Sequence, residues 1–249
     1  MRKLVAISSY FFIVTAFVSC KTGYLPSAVQ FQDYRVANKE VISNNLSVML
    51  KPYSDSVNKS MNDVIATAGM NLEKMQPEGT LNNVMADALL NMAIKKYQTK
   101  VDASFLNYGG IRLPSLREGN ITRGKIFEIS PFDNVIVLLN VDGGVLQQFL
   151  NIIAKRGGWP CAGIQFQIKN NVATNVEING QPMQPNNRYT IATIDYVANG
   201  GDDCDMLKGL PQQNNGYLFR DAVITYFANQ QQQGKLIVSS LQNRVSNAQ

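Results

Sequence analysis

The residues of this chain that are equipped for ligand chemistry lie in a few short segments. Asn107-Tyr-Gly-Gly-Ile-Arg112 joins a carboxamide, which donates and accepts, to a guanidinium whose planar fork suits phosphate. Gly109-Gly110 between them allows a tight turn and close approach of backbone to a ligand. Phe132, in Ser130-Pro-Phe-Asp-Asn134, and Tyr196, in Asp195-Tyr-Val-Ala-Asn-Gly-Gly-Asp202, are aromatic residues set in loops. Two such rings can stack on the faces of a flat base. The carboxylate of Asp202 can accept hydrogen bonds from sugar hydroxyls. Together these groups suit phosphate, base and sugar. Taken singly, each has an ordinary reading: a Gly-Gly turn, a surface ion pair for Arg112, core aromatics at loop ends.

Much other chemistry is excluded. The 249 residues include no histidine, which removes Ser-His-Asp and Cys-His nucleophile systems in their usual forms and zinc sites with imidazole ligands. No P-loop or Gly-x-Gly-x-x-Gly occurs. Asp202, Asp203 and Asp205 lack the spacing of a calcium loop, so no metal site is expected. Ser56-Val-Asn-Lys59 matches Ser-x-x-Lys of penicillin-binding proteins, but the accompanying Ser-Asp-Asn element is missing. The net charge is +5, of which Arg2 and Lys3 supply two, and no basic run exceeds two residues, so a nucleic acid polymer is not an expected partner.

The elements that must position these loops alternate between helix and strand periodicity. Val57, Met61, Val64, Ile65 and Ala68 fall on one helical face that Gly69 could end, and Leu81 to Ala93 form a second, with Thr80 as N-cap. Phe105-Leu106 read as the end of a short buried strand, Val135–Val141 as a buried strand, and Val145–Ile153 as an amphipathic helix. Ile164–Lys169, a stretch around Val176–Ile178 and Arg188–Ile194 read as strands, with turns at Asn170-Asn171 and Asn179-Gly180. A last helix fits Phe219–Ala228. This order predicts an α+β fold, a mixed β-sheet with packed helices, and no repeating βαβ wind.

The N-terminus reads as an export signal. Arg2-Lys3 precede an apolar stretch, Leu4–Val18, that ends at Ser19-Cys20. This resembles a bacterial lipobox, with Cys20 as the lipidation site; an ordinary secretory signal is the alternative. Residues 1–19 are then signal peptide, 20–34 a tether and 35–249 the domain, exported and held at the bacterial cell envelope through a lipid. Cys161 and Cys204 are left as a disulfide or as two thiols, both permitted in an exported chain.

In this order, the loops resemble those of the C-terminal domain of the 5′-nucleotidase family. That family carries an Asn-x-Gly-Gly-Ile-Arg-like loop, a Pro-Phe-x-Asn loop and an Asn-Gly-Gly-Asp loop. Its Gly-Asn-Leu-x-x-Asp-Ala segment is matched by Asn82-Asn83-Val84-Met85-Ala86-Asp87-Ala88. The resemblance runs from about Val41 to Ala228. It implies that Asn107 and Arg112 contact the phosphate end, that Phe132 and Tyr196 hold the base between them, that Asp202 binds ribose and that Asn83 supports the site. The second aromatic is more often Phe in the family. The family also carries one or two arginines where this chain has Lys74–Gly79, leaving Lys74 as the nearest substitute. The family's two-metal phosphoesterase half finds no counterpart in this sequence. The implied function is nucleotide or nucleoside recognition in a 5′-nucleotidase-type phosphohydrolase system. The chain would have no catalytic residue, metal ligand or cofactor of its own, and a separate metallophosphoesterase would supply the divalent metals. A nucleoside-capturing lipoprotein and a vestigial structural lipoprotein are the alternatives.

Overall fold

The computed structural model describes residues 44–248. The signal peptide, Cys20 and the tether lie outside them. Helix α1 (Asn44–Met61) is exposed from Leu46 through Ser60. The helix expected to continue to Ala68 does not: Val64–Ala68 is strand β1, antiparallel to β5 (Gly119–Thr122). Apolar positions at 64, 66 and 68 satisfy a period of two as well as a helical face. The β-branched Val64, Ile65 and Thr67 favour the strand. Asp63 O accepts Arg123 N–H and helps hold β1 against its partner.

Helix α2 (Thr80–Tyr97) starts one residue earlier than expected, with Gly79 at the N-cap. Thr80 is not the cap; its Oγ1 accepts Glu73 N–H at 2.8 Å and ties the helix to β2 (Leu72–Glu73), which pairs with β4 (Ser115–Leu116). The other periodic segments fold as expected: β3 (Ala103–Phe105), β6 (Val135–Asp142), α4 (Gly143–Lys155), β8 (Ile164–Lys169), β9 (Val172–Ile178), β11 (Arg188–Ile194) and α6 (Phe219–Gln232). The remaining elements are α3 (Arg123–Ile129), β7 (Cys161–Ala162), β10 (Gln181–Pro182), α5 (Asp195–Ala198), β12 (Gln212–Leu218) and β13 (Val245–Asn247).

The α+β architecture follows from the pairing. One sheet has the order β12-β6-β11-β3-β7 and a second β10-β9-β8-β13, and each mixes parallel and antiparallel neighbours. The buried face of α4 contributes Leu146, Phe149, Leu150 and Ile153. Phe149 meets Phe105 and Trp159 edge-on, with centroids 5.1 and 6.0 Å apart. Among the described residues no helix is long and apolar enough to cross a membrane. Cys161 and Cys204 are two buried free thiols, and burial pushes each up to about 12.

Much of the Asn82–Ala88 segment serves this fold. Asn82 Nδ2 donates to Met75 O, and Asn83 Nδ2 donates to Glu78 Oε1 at 2.7 Å and to Ser240 O at 3.0 Å. Asp87 accepts both Nη groups of Arg244 at 2.8 and 2.9 Å, a paired arrangement that suits a nearly buried guanidinium. Glu78 also accepts the backbone N–H groups of Gln242 and Asn243. These bonds draw the C-terminal segment onto the start of α2.

Candidate functional site

Topology places the loops together. Strands β3 and β11 are parallel, so their C-terminal ends share one end of the sheet; β6 is antiparallel to β11 and begins there. Asn107 follows β3, Tyr196 follows β11 and Phe132 precedes β6. Ligand sites often form outside the carboxyl ends of such strands.

These ends enclose a cavity of about 540 Å³, within the range of small-molecule sites. Asn107, Arg112, Phe132, Tyr196 and Asp202 all line it. The sequence therefore singled out five residues that the fold brings together. Asn83 is not among the lining residues; its carboxamide is committed to Glu78 and Ser240 as described. The lining also includes Gln76, Tyr108, Asn134, Arg156 and Trp159, which sequence reasoning did not assign.

Each side chain is held from behind. Phe132 sits on a loop whose carbonyl accepts Arg220 Nη1 at 3.3 Å, while Arg220 Nη2 reaches Asp133 Oδ1 at 2.6 Å. Phe132 is 41% exposed and Tyr196 47%, high for large aromatic residues. Asp195 Oδ1 accepts Val135 N–H at 3.1 Å and Tyr196 N–H at 2.9 Å, which staples the start of β6 to α5. Gly201 packs under Tyr196: a Cβ there would lie 2.5 Å from Tyr196 Cε1.

The Gly109-Gly110 pair has neither residue in the left-handed region. The requirement is spatial and falls on Gly110, where a Cβ would lie 2.7 Å from Asn107 Oδ1. At Gly109 the nearest atom to an added Cβ is Asn107 Nδ2 at 3.7 Å, ordinary contact.

Electrostatically the cavity has two guanidiniums and one inward carboxylate. Arg112 has no carboxylate partner among the described residues; its Cζ lies 5.6 Å from the Phe132 ring centroid. Lys74 does not point its charge freely into the site. Its Nζ donates to Ile111 O at 2.7 Å and sits 3.9 Å over the Tyr108 ring, and burial, aided by the charge of Arg112, lowers its pKa. Asp202 Oδ2 accepts Asn107 Nδ2 at 2.7 Å. Its Oδ1 faces Tyr196 OH at 3.5 Å and Arg156 Nη1 at 3.6 Å, the second a charge contact and not a hydrogen bond. Arg156 Nη2 donates to Asp203 Oδ2 at 2.6 Å, the main cause of a raised Arg156 pKa. Asn107 Oδ1 is buried without a hydrogen-bond partner in the structure.

These residues do not fit a two-metal hydrolytic centre. No group of three or more metal-ligating side chains gathers among the described residues, and the sequence holds no histidine. Asp202 and Asp203 already face Arg156.

Comparison with known proteins places this geometry in a family. The model of the 5′-nucleotidase C-terminal domain matches residues 58–209. A 5′-nucleotidase of Vibrio parahaemolyticus is 27% identical over 70% of this chain and 32% of its own length. Protein UshA of Escherichia coli is 28% identical over 55% of this chain and 26% of its own. The chain thus spans about a quarter to a third of the curated relatives it matches. In fold it is similar to a 5′-nucleotidase precursor of Thermus thermophilus, with a TM-score of 0.69 and 22% identity over 82% of this chain and 43% of that one. It also resembles the NAD nucleotidase of Haemophilus influenzae, with a TM-score of 0.62 and 16% identity over 83% of this chain and 42% of that one. With well over half of its residues matched by the family model, the chain belongs to the 5′-nucleotidase family and contains the family's C-terminal domain.

Proposed function

We propose that this chain recognises a nucleotide or nucleoside for a 5′-nucleotidase-type phosphohydrolase system. The base lies between Phe132 and Tyr196, Asp202 takes ribose hydroxyls, and Asn107 and Arg112 take the phosphate end. The observation that carries this reading is the convergence of two half-exposed aromatic rings, Arg112 and the Asp202 carboxylate on one cavity. Stacking on such rings is worth about 1–3 kcal/mol per base. Phosphoester cleavage needs two metal ions and an activated water. Those belong to a metallophosphoesterase domain or partner, because a sequence without histidine lacks the usual ligands. The protein is read as exported and lipid-anchored through Cys20, and Cys20→Ser releasing it from the membrane fraction tests the anchor. Retention of that variant would refute it.

Titration calorimetry of residues 44–249 with adenosine and AMP tests recognition. Phe132→Ala with Tyr196→Ala should weaken both ligands by at least roughly tenfold. Unchanged binding would refute the base site. AMP turnover by this chain alone with Mn²⁺ would refute the division of labour. A second reading, nucleoside capture without a phosphate grip, is favoured by the arginine-free Lys74–Gly79 segment and the committed Lys74 ammonium. Equal affinities for adenosine and AMP would support it.

A further inference from the structure

Arg156 enters the cavity from an element that none of the ligand-chemistry segments in the sequence pointed to. It caps the C-terminal end of α4, and the chain leaves through Gly157 and Gly158, both at positive φ. The side chain of Gln76 fixes this exit, its Nε2 donating to Arg156 O at 2.6 Å and to Gly158 O at 2.9 Å. The main chain that carries the guanidinium is therefore fixed at this point. Its fork is split between neighbouring carboxylates. Nη2 is anchored on Asp203 at 2.6 Å, and Nη1 stands 3.6 Å from Asp202 Oδ1.

The carboxylate so flanked is unevenly used. Asp202 Oδ2 is taken by Asn107 at 2.7 Å, whereas Oδ1 meets Tyr196 OH and Arg156 only at 3.5 and 3.6 Å. Those lengths are beyond a good hydrogen bond, so Oδ1 keeps acceptor capacity on the cavity side. Asp202 and Asp203 both adopt left-handed backbone, φ 55 and 66, a conformation Asp tolerates better than most residues. It lets adjacent side chains serve one guanidinium.

We propose that Arg156 is a positioning residue that confers ribose selectivity, holding the Asp202 carboxylate so that it accepts from the vicinal hydroxyls of the sugar. This rests on the nucleotide-binding reading above. Arg156 does not act as a second phosphate grip, since an entering anion would have to displace Asp203 and sit beside Asp202. Phosphate falls to Arg112.

The test is calorimetry on wild type, Arg156→Gln and Arg156→Lys with adenosine, 2′,3′-dideoxyadenosine and AMP. Arg156→Gln should weaken adenosine and AMP by equal factors, roughly tenfold, and leave dideoxyadenosine nearly unchanged. Lys, which keeps the charge without the fork, should restore part of the loss. Equal losses for all three ligands would overturn the proposal in favour of a general structural role. A larger loss for AMP than for adenosine would overturn it in favour of an anion grip. Asp203→Asn, a change at an exposed carboxylate, should give the same ligand pattern at smaller amplitude even if Arg156→Gln folds poorly; its absence there also overturns the proposal. A wild type that binds none of the three refutes the nucleotide-binding reading itself. Wild-type binding with the wrong variant pattern refutes only the role of Arg156.

Discussion

Gly201→Ala tests whether the Tyr196 ring is a contact surface or an incidental exposed aromatic. The methyl would be placed 2.5 Å from Tyr196 Cε1, 2.6 Å from Cζ and 2.6 Å from its carbonyl oxygen. Carbon atoms pack best at about 3.5–4.0 Å, so roughly 1 Å of retreat is needed. The ring turns more easily than the backbone, and Tyr196 is 47% exposed. A gap of about 0.5–1 Å forfeits roughly a quarter to a half of a dispersion contact. Applied to stacking of about 1–3 kcal/mol per base, this gives a loss of about 0.25–1.5 kcal/mol, or roughly 1.5- to 12-fold in Kd. Calorimetry with adenosine reads the loss. The same substitution in a Tyr196→Ala background should have no further effect on binding, because the two changes share one contact. An unchanged Kd, or a full additional loss in that background, would refute the stacking geometry.

Two further outcomes concern the scaffold. Arg244→Ala removes the partner of Asp87 and the donor to Cys161 O. With Asp87 partly exposed, the cost should be about 3 kcal/mol, a fall of roughly 6–12 °C in Tm by calorimetry; a fall below about 2 °C would refute the clamp. The buried thiols give a pH signature. Their folded pKa of about 12 lies above the ordinary 9.0, so between these values the native state retains protons that the unfolded chain releases. Stability should therefore be intact below pH 9 and fall above it, by up to about 1.4 kcal/mol per pH unit for each thiol. Cys161→Ala should lessen that slope in urea melts, and an equal slope would refute the assignment.

The parts of this molecule legible in its sequence are those whose signal is local. Val135–Asp142 and Gly143–Lys155 announce themselves by apolar period, and Asn179-Gly180 by turn chemistry. The two- and three-residue strands Leu72–Glu73, Cys161–Ala162 and Val245–Asn247 do not, because each is defined by a distant partner. Val64–Ala68 was ambiguous in period, and pairing with Gly119–Thr122 decides it. The same division holds in the cavity. Asn107, Arg112, Phe132, Tyr196 and Asp202 were visible as odd residues in Gly- and Pro-marked loops. Arg156 carried a similar mark, an arginine beside Gly157-Gly158, but its meaning depends on carboxylates 46 and 47 positions away in sequence. Asn83 looked like a site residue because its segment matched a motif, and the fold gives that carboxamide to Glu78 and Ser240.

The closure of the C-terminal segment on α2 also sets an order of assembly. Glu78 and Asp87 wait for Asn243 and Arg244, which leave the ribosome more than 150 residues later, and β13 then pairs with β8 in parallel. Such long-range contacts are formed late and slowly. A nascent chain short of residue 242 leaves Asp87 without its guanidinium partner and Glu78 without the backbone N–H groups of Gln242 and Asn243, so the native state is reached only after synthesis of the domain is essentially complete.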